Sequence, residues 1–351
     1  MKKALITTLQ VAVTVFALYW VFRKPETRAG MGTALHHGDF TWLLAALAIA
    51  AVPPICATAR WWLLLRVQDI RLTVKRAFQL YMVGMFFNLF LLGSTGGDAV
   101  KLFYLLRERP DPRLRAGAFM SVVMDRLVGM VALIILSAGF VLARYHWLTQ
   151  TRATAGWVNG FLVILGLILA GIVAACVAAQ STLLERLPAT LPGRTAFIEV
   201  SAAIRVYTRA WQTSLTCIFI SFFGHGAMFV TFYFAARVMR AGVAFWDVTV
   251  VMPIINTYVS LPFSLSGIGV REQLFTTMLG DLCHLAEDKA VLISLIGFLC
   301  STVFFGLIGA VMYLFYRSAK GAPPAHVEEV EAREAEAALP AIVEESQRKP
   351  V

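Results

Sequence analysis

Long runs without a charged residue, separated by short stretches bearing Lys and Arg, set the pattern of this chain. Uncharged runs cover residues 4–22, 40–59, 77–97, 153–184, 210–236, 248–270 and 290–316. An eighth, 116–143, is interrupted only by Asp125 and Arg126. A helix that crosses a bilayer needs about 20 mostly apolar residues, and all eight runs meet or approach that length. Lipid offers no water to an open backbone, so such segments are helices. The expected fold class is an all-α polytopic membrane protein with eight hydrophobic segments.

Composition agrees: of 351 residues, 59% are hydrophobic and 15% charged, against about 25% charged in soluble domains. The run 4–22 follows Met-Lys-Lys like a secretory signal. It is long, precedes Arg-Lys-Pro-Glu-Thr-Arg and lacks a small-x-small cleavage site, so it is expected to be a retained first helix. The longest loop between runs, 185–209, is too short for a soluble catalytic domain. Residues 321–351 carry seven glutamates and are expected to form a disordered, Glu-rich cytoplasmic tail. The domain reading is therefore a transmembrane domain over 1–320 and a tail over 321–351.

Charge then bears on topology. The formal net charge is +10, but the basic residues sit in loops between segments. That pattern fits an anionic membrane surface rather than nucleic acid. Leaving out Lys101, Arg126, Arg271 and the three basic residues beyond 320, 25 of the 31 Lys and Arg remain. With eight crossings they divide 13 inside and 12 outside. If 77–97 and 248–270 each dip in and return, they divide 17 to 8. The second arrangement respects the positive-inside rule. It gives six crossings plus two re-entrant broken-helix hairpins, with both termini cytoplasmic.

The two dipping segments resemble each other at an offset of 172 residues. Ser94-Thr-Gly-Gly97, followed by Leu102-Phe103, falls on Ser266-Gly-Ile-Gly269, followed by Leu274-Phe275. Each half then holds three crossings, and an odd number turns the second half upside down. Inverted repeats of this kind place broken helices at the midplane of many transporters.

Polar residues cluster at the breaks. Gly96 and Gly97 precede Asp98, whose carboxylate is placed to cap the helix that follows, with Lys101 one turn on. Gly267 and Gly269 precede Arg271 and Glu272. With Asp125 and Arg126 these make six charges at membrane depth, three of each sign. Unpaired charge there is costly. Asp125 and Arg126 point about 100° apart on a helix, so pairing across to the hairpins is expected, for example Asp125 with Lys101 or Arg271. Asn88 is expected to hydrogen-bond between helices. The candidate polar site is Asn88, Gly96, Gly97, Asp98, Lys101, Asp125, Arg126, Gly267, Gly269, Arg271 and Glu272. The glycines alone fit close helix packing, and the charges alone fit a structural salt-bridge cluster. Together they suit a site for an anion, with two helix N-termini and two arginines directed at it.

His225 reads as a packed polar residue, and Arg60 with Trp61 and Trp62 as an interfacial anchor. The five cysteines, Cys56, Cys176, Cys217, Cys283 and Cys300, form no C-x-x-C pair and read as packing residues. No catalytic, cofactor or metal-ligand signature is present, so neither enzymatic activity nor a cofactor or metal is expected.

These motifs in order, Arg60-Trp61, Asn88 with Gly96-Gly97-Asp98 and Lys101, Asp125-Arg126 with Gly129, and the segment 261–272, resemble the flippase-like family. That family is typified by the membrane region of lysylphosphatidylglycerol synthases. The likeness covers about residues 4–316 and departs from the pattern at Leu92, where many members carry proline. It implies translocation of a lipid across the cytoplasmic membrane. The cargo could be a phospholipid, a hopanoid-related lipid or a polyprenyl-phosphate glycolipid, with a separate lipid-synthesising enzyme as a candidate partner. Two other readings stay open: an integral-membrane enzyme using Asp98, Asp125 or Glu272 as acid and base, and a membrane scaffold that transports nothing.

Overall fold

A computed structural model describes residues 32, 36–90, 96–108, 112–180, 202, 205–260 and 267–320. The first apolar run, both turn segments at 91–95 and 261–266, most of the 185–209 loop and the tail lie outside the described residues. Among those described, every regular element is helical and no strand occurs.

Helices α1 (Thr41–Ala50) and α2 (Val52–Val67) form one long span. Pro53 and Pro54 lie just after the junction, where a missing N–H and a fixed φ suit the first turn of a new helix. The span runs past Arg60 to Val67, well beyond the uncharged run that revealed it. Helices α3 (Val74–Phe90) and α4 (Gly96–Glu108) pack against each other as the first hairpin, and α5 (Pro112–Ala143) follows. A single turn, α6 (Tyr145–Leu148), leads to α7 (Arg152–Gln180) and then α8 (Trp211–Val238). Helices α9 (Phe245–Ser260) and α10 (Val270–Cys283) form the second hairpin. The described chain closes with α11 (Glu287–Phe298), a π-helical turn (Leu299–Val303) and α12 (Phe304–Lys320).

Among the described residues, five stretches are long and apolar enough to cross a membrane: Thr41–Val67, Leu114–Ala143, Arg152–Ala174, Trp211–Val238 and Glu287–Phe315. The hairpin arms have 17, 13, 16 and 14 residues. At 1.5 Å per residue each is about 20–26 Å long, short of the roughly 30 Å hydrocarbon layer.

Helix α8 is the hub, touching α1, α2, α5, α9 and α11. Small residues let it approach closely. A Cβ added at Gly224 would lie 3.3 Å from that of Cys56, and one at Gly297 would run into the Phe232 ring. The largest apolar cluster lies around this hub, with Phe229 and Phe232 of α8, Ile254 and Ile255 of α9, and Leu274 and Phe275 of α10 fully buried. Phe232 stacks on Phe275 with centroids 5.4 Å apart. The second hairpin is therefore seated in the main core. The first packs on α2, α5 and α12, with its own buried cluster around Trp61, Leu80 and Leu105.

Candidate functional site

The first hairpin begins with a close backbone approach. A Cβ at Gly97 would collide with the Gly84 carbonyl and the Asn88 side chain, so the arms meet only because both positions are glycine. Asn88 Oδ1 accepts a hydrogen bond from the Gly97 N–H at 2.7 Å. It thus satisfies one of the open donors at the start of α4 from the neighbouring arm. The expected cap was Asp98. Its carboxylate instead lies 3.0 Å from Lys101 Nζ and accepts from Arg126 Nε at 2.6 Å. Two cations outcompete the backbone for it, because charge-assisted bonds are the stronger ones.

Those contacts belong to a larger network. Arg60 Nε donates to Asp125 Oδ1 at 2.7 Å, and its Nη1 donates to Ser221 Oγ at 2.9 Å. Asp125 Oδ2 is also 4.0 Å from Lys101 Nζ. Lys101 is buried, stands 4.4 Å from the Trp61 ring centre and 5.4 Å from that of Tyr81, and makes no aligned hydrogen bond. Its charge is balanced by two carboxylates and two ring faces. Trp61 is held in turn by its Nε1–H on Ser121. Arg60 crosses against Gly129, where a Cβ would be 2.9 Å from its Nη1, and His225 Nε2 sits 3.1 Å from the Gly129 carbonyl. The network links α2, α4, α5 and α8.

Arg60 is the residue that sequence reasoning placed wrongly. It is not an interfacial anchor but the half-buried partner of Asp125. The signal was present, since a charge at Arg60 stops the uncharged run while apolar residues continue to Val67. A search for uncharged stretches cuts the helix at the residue that matters.

The second hairpin leaves its turn through two glycines with left-handed backbone, Gly267 (φ 73°) and Gly269 (φ 86°). A side chain at 267 would also strike Val259. Glu272, fully buried, reaches back to the Gly269 N–H at 2.5 Å and accepts from Ser294 Oγ at 2.7 Å. Arg271 does not pair with Asp125. Its nitrogens lie 3.3 Å from Glu272 Oε1, its Nε is 3.1 Å from Ser294 Oγ, and its guanidinium stacks 4.0 Å over the Phe298 ring.

The eleven candidate residues therefore fall into two sets. Asn88, Gly96, Gly97, Asp98, Lys101, Asp125 and Arg126 gather with Arg60. Gly267, Gly269, Arg271 and Glu272 gather with Ser294 and Phe298. No ion pair joins the sets among the described residues. Exposure separates them too: the Arg126 side chain is 41% exposed, while that of Arg271 is 6%. Ser294 and Phe298 were not anticipated, as neither carries a motif. Cys56, Cys217, Cys283 and Cys300 are free thiols, and no three His, Cys, Asp or Glu residues gather as a metal site among the described residues.

Helical spans with charged sites inside them define a multi-pass integral membrane protein. Residues 7–309 match the family described as the lysylphosphatidylglycerol synthase transmembrane region, and the chain belongs to that family. It is also similar to a UPF0104 membrane protein of Pyrococcus horikoshii, 21% identical over 136 residues. That match spans 38% of this chain and 39% of the relative, so the similarity covers about two-fifths of the relative's length.

Proposed function

We propose that the protein translocates an anionic, phosphate-bearing lipid across the cytoplasmic membrane. The observation that carries this reading is the ion network at the first helix break, in which the Arg126 side chain is 41% exposed and that of its partner Asp98 is 15% exposed. A phosphate crossing the bilayer must exchange water for donors. A guanidinium supplies a planar fork matched to phosphate. Asp98 holds that fork while no lipid is bound, and the start of α4 adds the positive end of a helix dipole.

The proposed topology has six crossings, two re-entrant hairpins and cytoplasmic termini, built as an inverted repeat. Five of the six expected crossings coincide with the long apolar spans, and the sixth is assigned to the run 4–22, outside the described residues. The helix contacts support a two-fold repeat. With α2–α5 set against α8, α9, α10 and α11–α12, the contact α2–α3 corresponds to α8–α9, and α4–α5 to α10–α11. Likewise α2–α5 corresponds to α8–α11 and α3–α12 to α9–α5, while α2–α8 maps on itself.

The test is reconstitution of the purified protein into liposomes, following the sidedness of a labelled phosphate lipid and of a neutral analogue. Asp98→Asn keeps shape and removes charge. The variant is expected to purify normally and to lose translocation. Parallel loss of folded protein and of activity supports a structural cluster instead, and chemical turnover in detergent with no second compartment supports an enzyme.

A further inference from the structure

The last span is one helix interrupted by the π-helical turn Leu299–Val303, where the Phe304 N–H donates to the Leu299 carbonyl five residues back. Such a turn holds one residue more than an α-helical turn. The faces of the span record the insertion. Leu299 and Phe304 are both exposed, and Cys300 and Phe305 are both buried. Five residues of α-helix turn through about 500°, which would set the members of each pair about 140° apart. With one residue fewer they would be about 40° apart, on one face. A plain α-helix one residue shorter therefore presents the same faces, so packing alone does not call for the turn.

On either side of the turn the span is bound to a different hairpin. Helix α11 belongs to the main core: a Cβ at Gly297 would run into the Phe232 ring, Ser294 Oγ donates to Glu272, and Phe298 lies over Arg271. Helix α12 belongs to the first hairpin. A Cβ at Gly306 would strike Leu89 and one at Gly309 the Met82 carbonyl. The Tyr313 ring lies 5.3 Å from that of Phe87 and 6.4 Å from that of Tyr104. Residues 68–73, which lead from α2 into this hairpin, lie outside any helix, whereas the tie from α11 is helical throughout. A continuous helix bends where a π-turn interrupts its ladder. We infer that this turn is a hinge, about which the first hairpin and α12 swing as one body against α8, α11 and the second hairpin. Helix α5 packs on α8, so the contacts of Asp98 with Arg126 and of Lys101 with Asp125 cross the boundary between the two bodies and are exchanged in the swing. This motion is independent of which lipid, if any, is carried.

The experiment measures distances between spin labels in liposomes, on full-length protein lacking the native cysteines. One pair of new cysteines spans the hinge, at Leu314 on α12 and Phe223 on α8, both exposed. A second pair lies within the swinging body, at Leu314 and at Ala99, exposed on α4. Packed helices move between discrete seats about one helical turn apart, so the first pair is expected to show two distances differing by about 5 Å. The second pair should show one. Deleting Thr302 removes the extra residue and keeps the faces, and should leave the first pair with a single distance. Equal behaviour of the two pairs in the unaltered protein, or two distances that persist without Thr302, overturns the hinge. Should the deletion variant not accumulate, the two pairs in the unaltered protein decide alone: two distances against one support the hinge, and one against one overturns it. Two distances in a protein that moves no lipid keep the hinge and remove the proposed function. Normal translocation with one distance does the reverse.

Discussion

Each hairpin interrupts a helix at glycine and places opposite charges in the turn that follows, yet the two settle those charges differently. In the first hairpin Asp98 and Lys101 take partners from α2 and α5, and Arg126 at the edge remains partly open. In the second, Arg271 is satisfied by its neighbour in sequence, by Ser294 and by the face of Phe298, all buried. Adding 172 to Arg126 gives 298, the position of that phenylalanine. Where the first half sets a cation from the following crossing against an acid of the hairpin, the second sets an aromatic ring against a cation.

This contrast is tested most severely at Glu272. Its carboxylate caps α10, holds Ser294 and neutralises Arg271 with no exposure to solvent. Removing one partner of a buried pair costs about 3–5 kcal/mol, because the remaining charge is left without compensation. Glu272→Ala is expected to lose that much stability in detergent unfolding, or to fail to accumulate. Recovery in a double variant with Arg271→Met would show that the buried charge is the cause. If Glu272→Ala unfolds no more readily than Asp98→Asn, the second hairpin is not the closed one.

Arg60 comes next. Its loss leaves Asp125 with Lys101 at 4.0 Å, so compensation is partial. Arg60→Gln is expected to cost about 1–3 kcal/mol, the range for removing one partner of a buried hydrogen bond. In a double-mutant cycle with Asp125→Asn, the pair should show coupling of at least about 0.5 kcal/mol. Additive effects would show that the 2.7 Å contact contributes nothing to stability.

Much of this arrangement was legible in the sequence. Apolar length revealed the crossings, since the bilayer imposes one requirement on every one of them. The charges at 98, 101, 125, 126, 271 and 272 stood out because hydrocarbon makes each conspicuous. Glu272 three residues after Gly269 is capping spacing, which a local reading can find. Which charge meets which was legible only in part: Asp125 does lie 4.0 Å from Lys101, one of the two partners expected, but its closest contact was not anticipated. Asp125 turns to Arg60 rather than Arg271 because of the rotation of α5 against α2 and α8, and that depends on glycine contacts such as Gly129 against Arg60. Pairing across elements is a property of packing, and no spacing along one helix encodes it.

Glycine gives a smaller and purely steric way to sharpen the contrast. A methyl at Gly97 meets the Gly84 carbonyl and the Asn88 side chain, while one at Gly226 meets nothing within 4 Å. Gly97→Ala is expected to cost about 1–3 kcal/mol through overpacking, and Gly226→Ala to change little. Both should be read from unfolding curves in the same detergent. Equal behaviour of the two variants would mean that the hairpin arms are not in contact in solution.

The smallest expected effect on stability is at the more exposed arginine, Arg126, and it separates function from folding. The Arg126 side chain is 41% exposed, so breaking its pairing with Asp98 is expected to cost less than breaking a fully buried pair. Arg271, at 6% exposure, has no such relief. Arg126→Gln should therefore unfold almost as the unaltered protein does while losing transport of a phosphate lipid. Arg126→Lys keeps the charge without the fork and should retain only part of the transport. At Arg271 the order reverses, with Arg271→Gln losing stability first and transport as a consequence. Measuring unfolding and translocation on both pairs of variants distinguishes the two hairpins directly. If Arg126→Gln is as unstable as Arg271→Gln, or transports phosphate lipid normally, the charges of the first hairpin do not serve transport apart from folding.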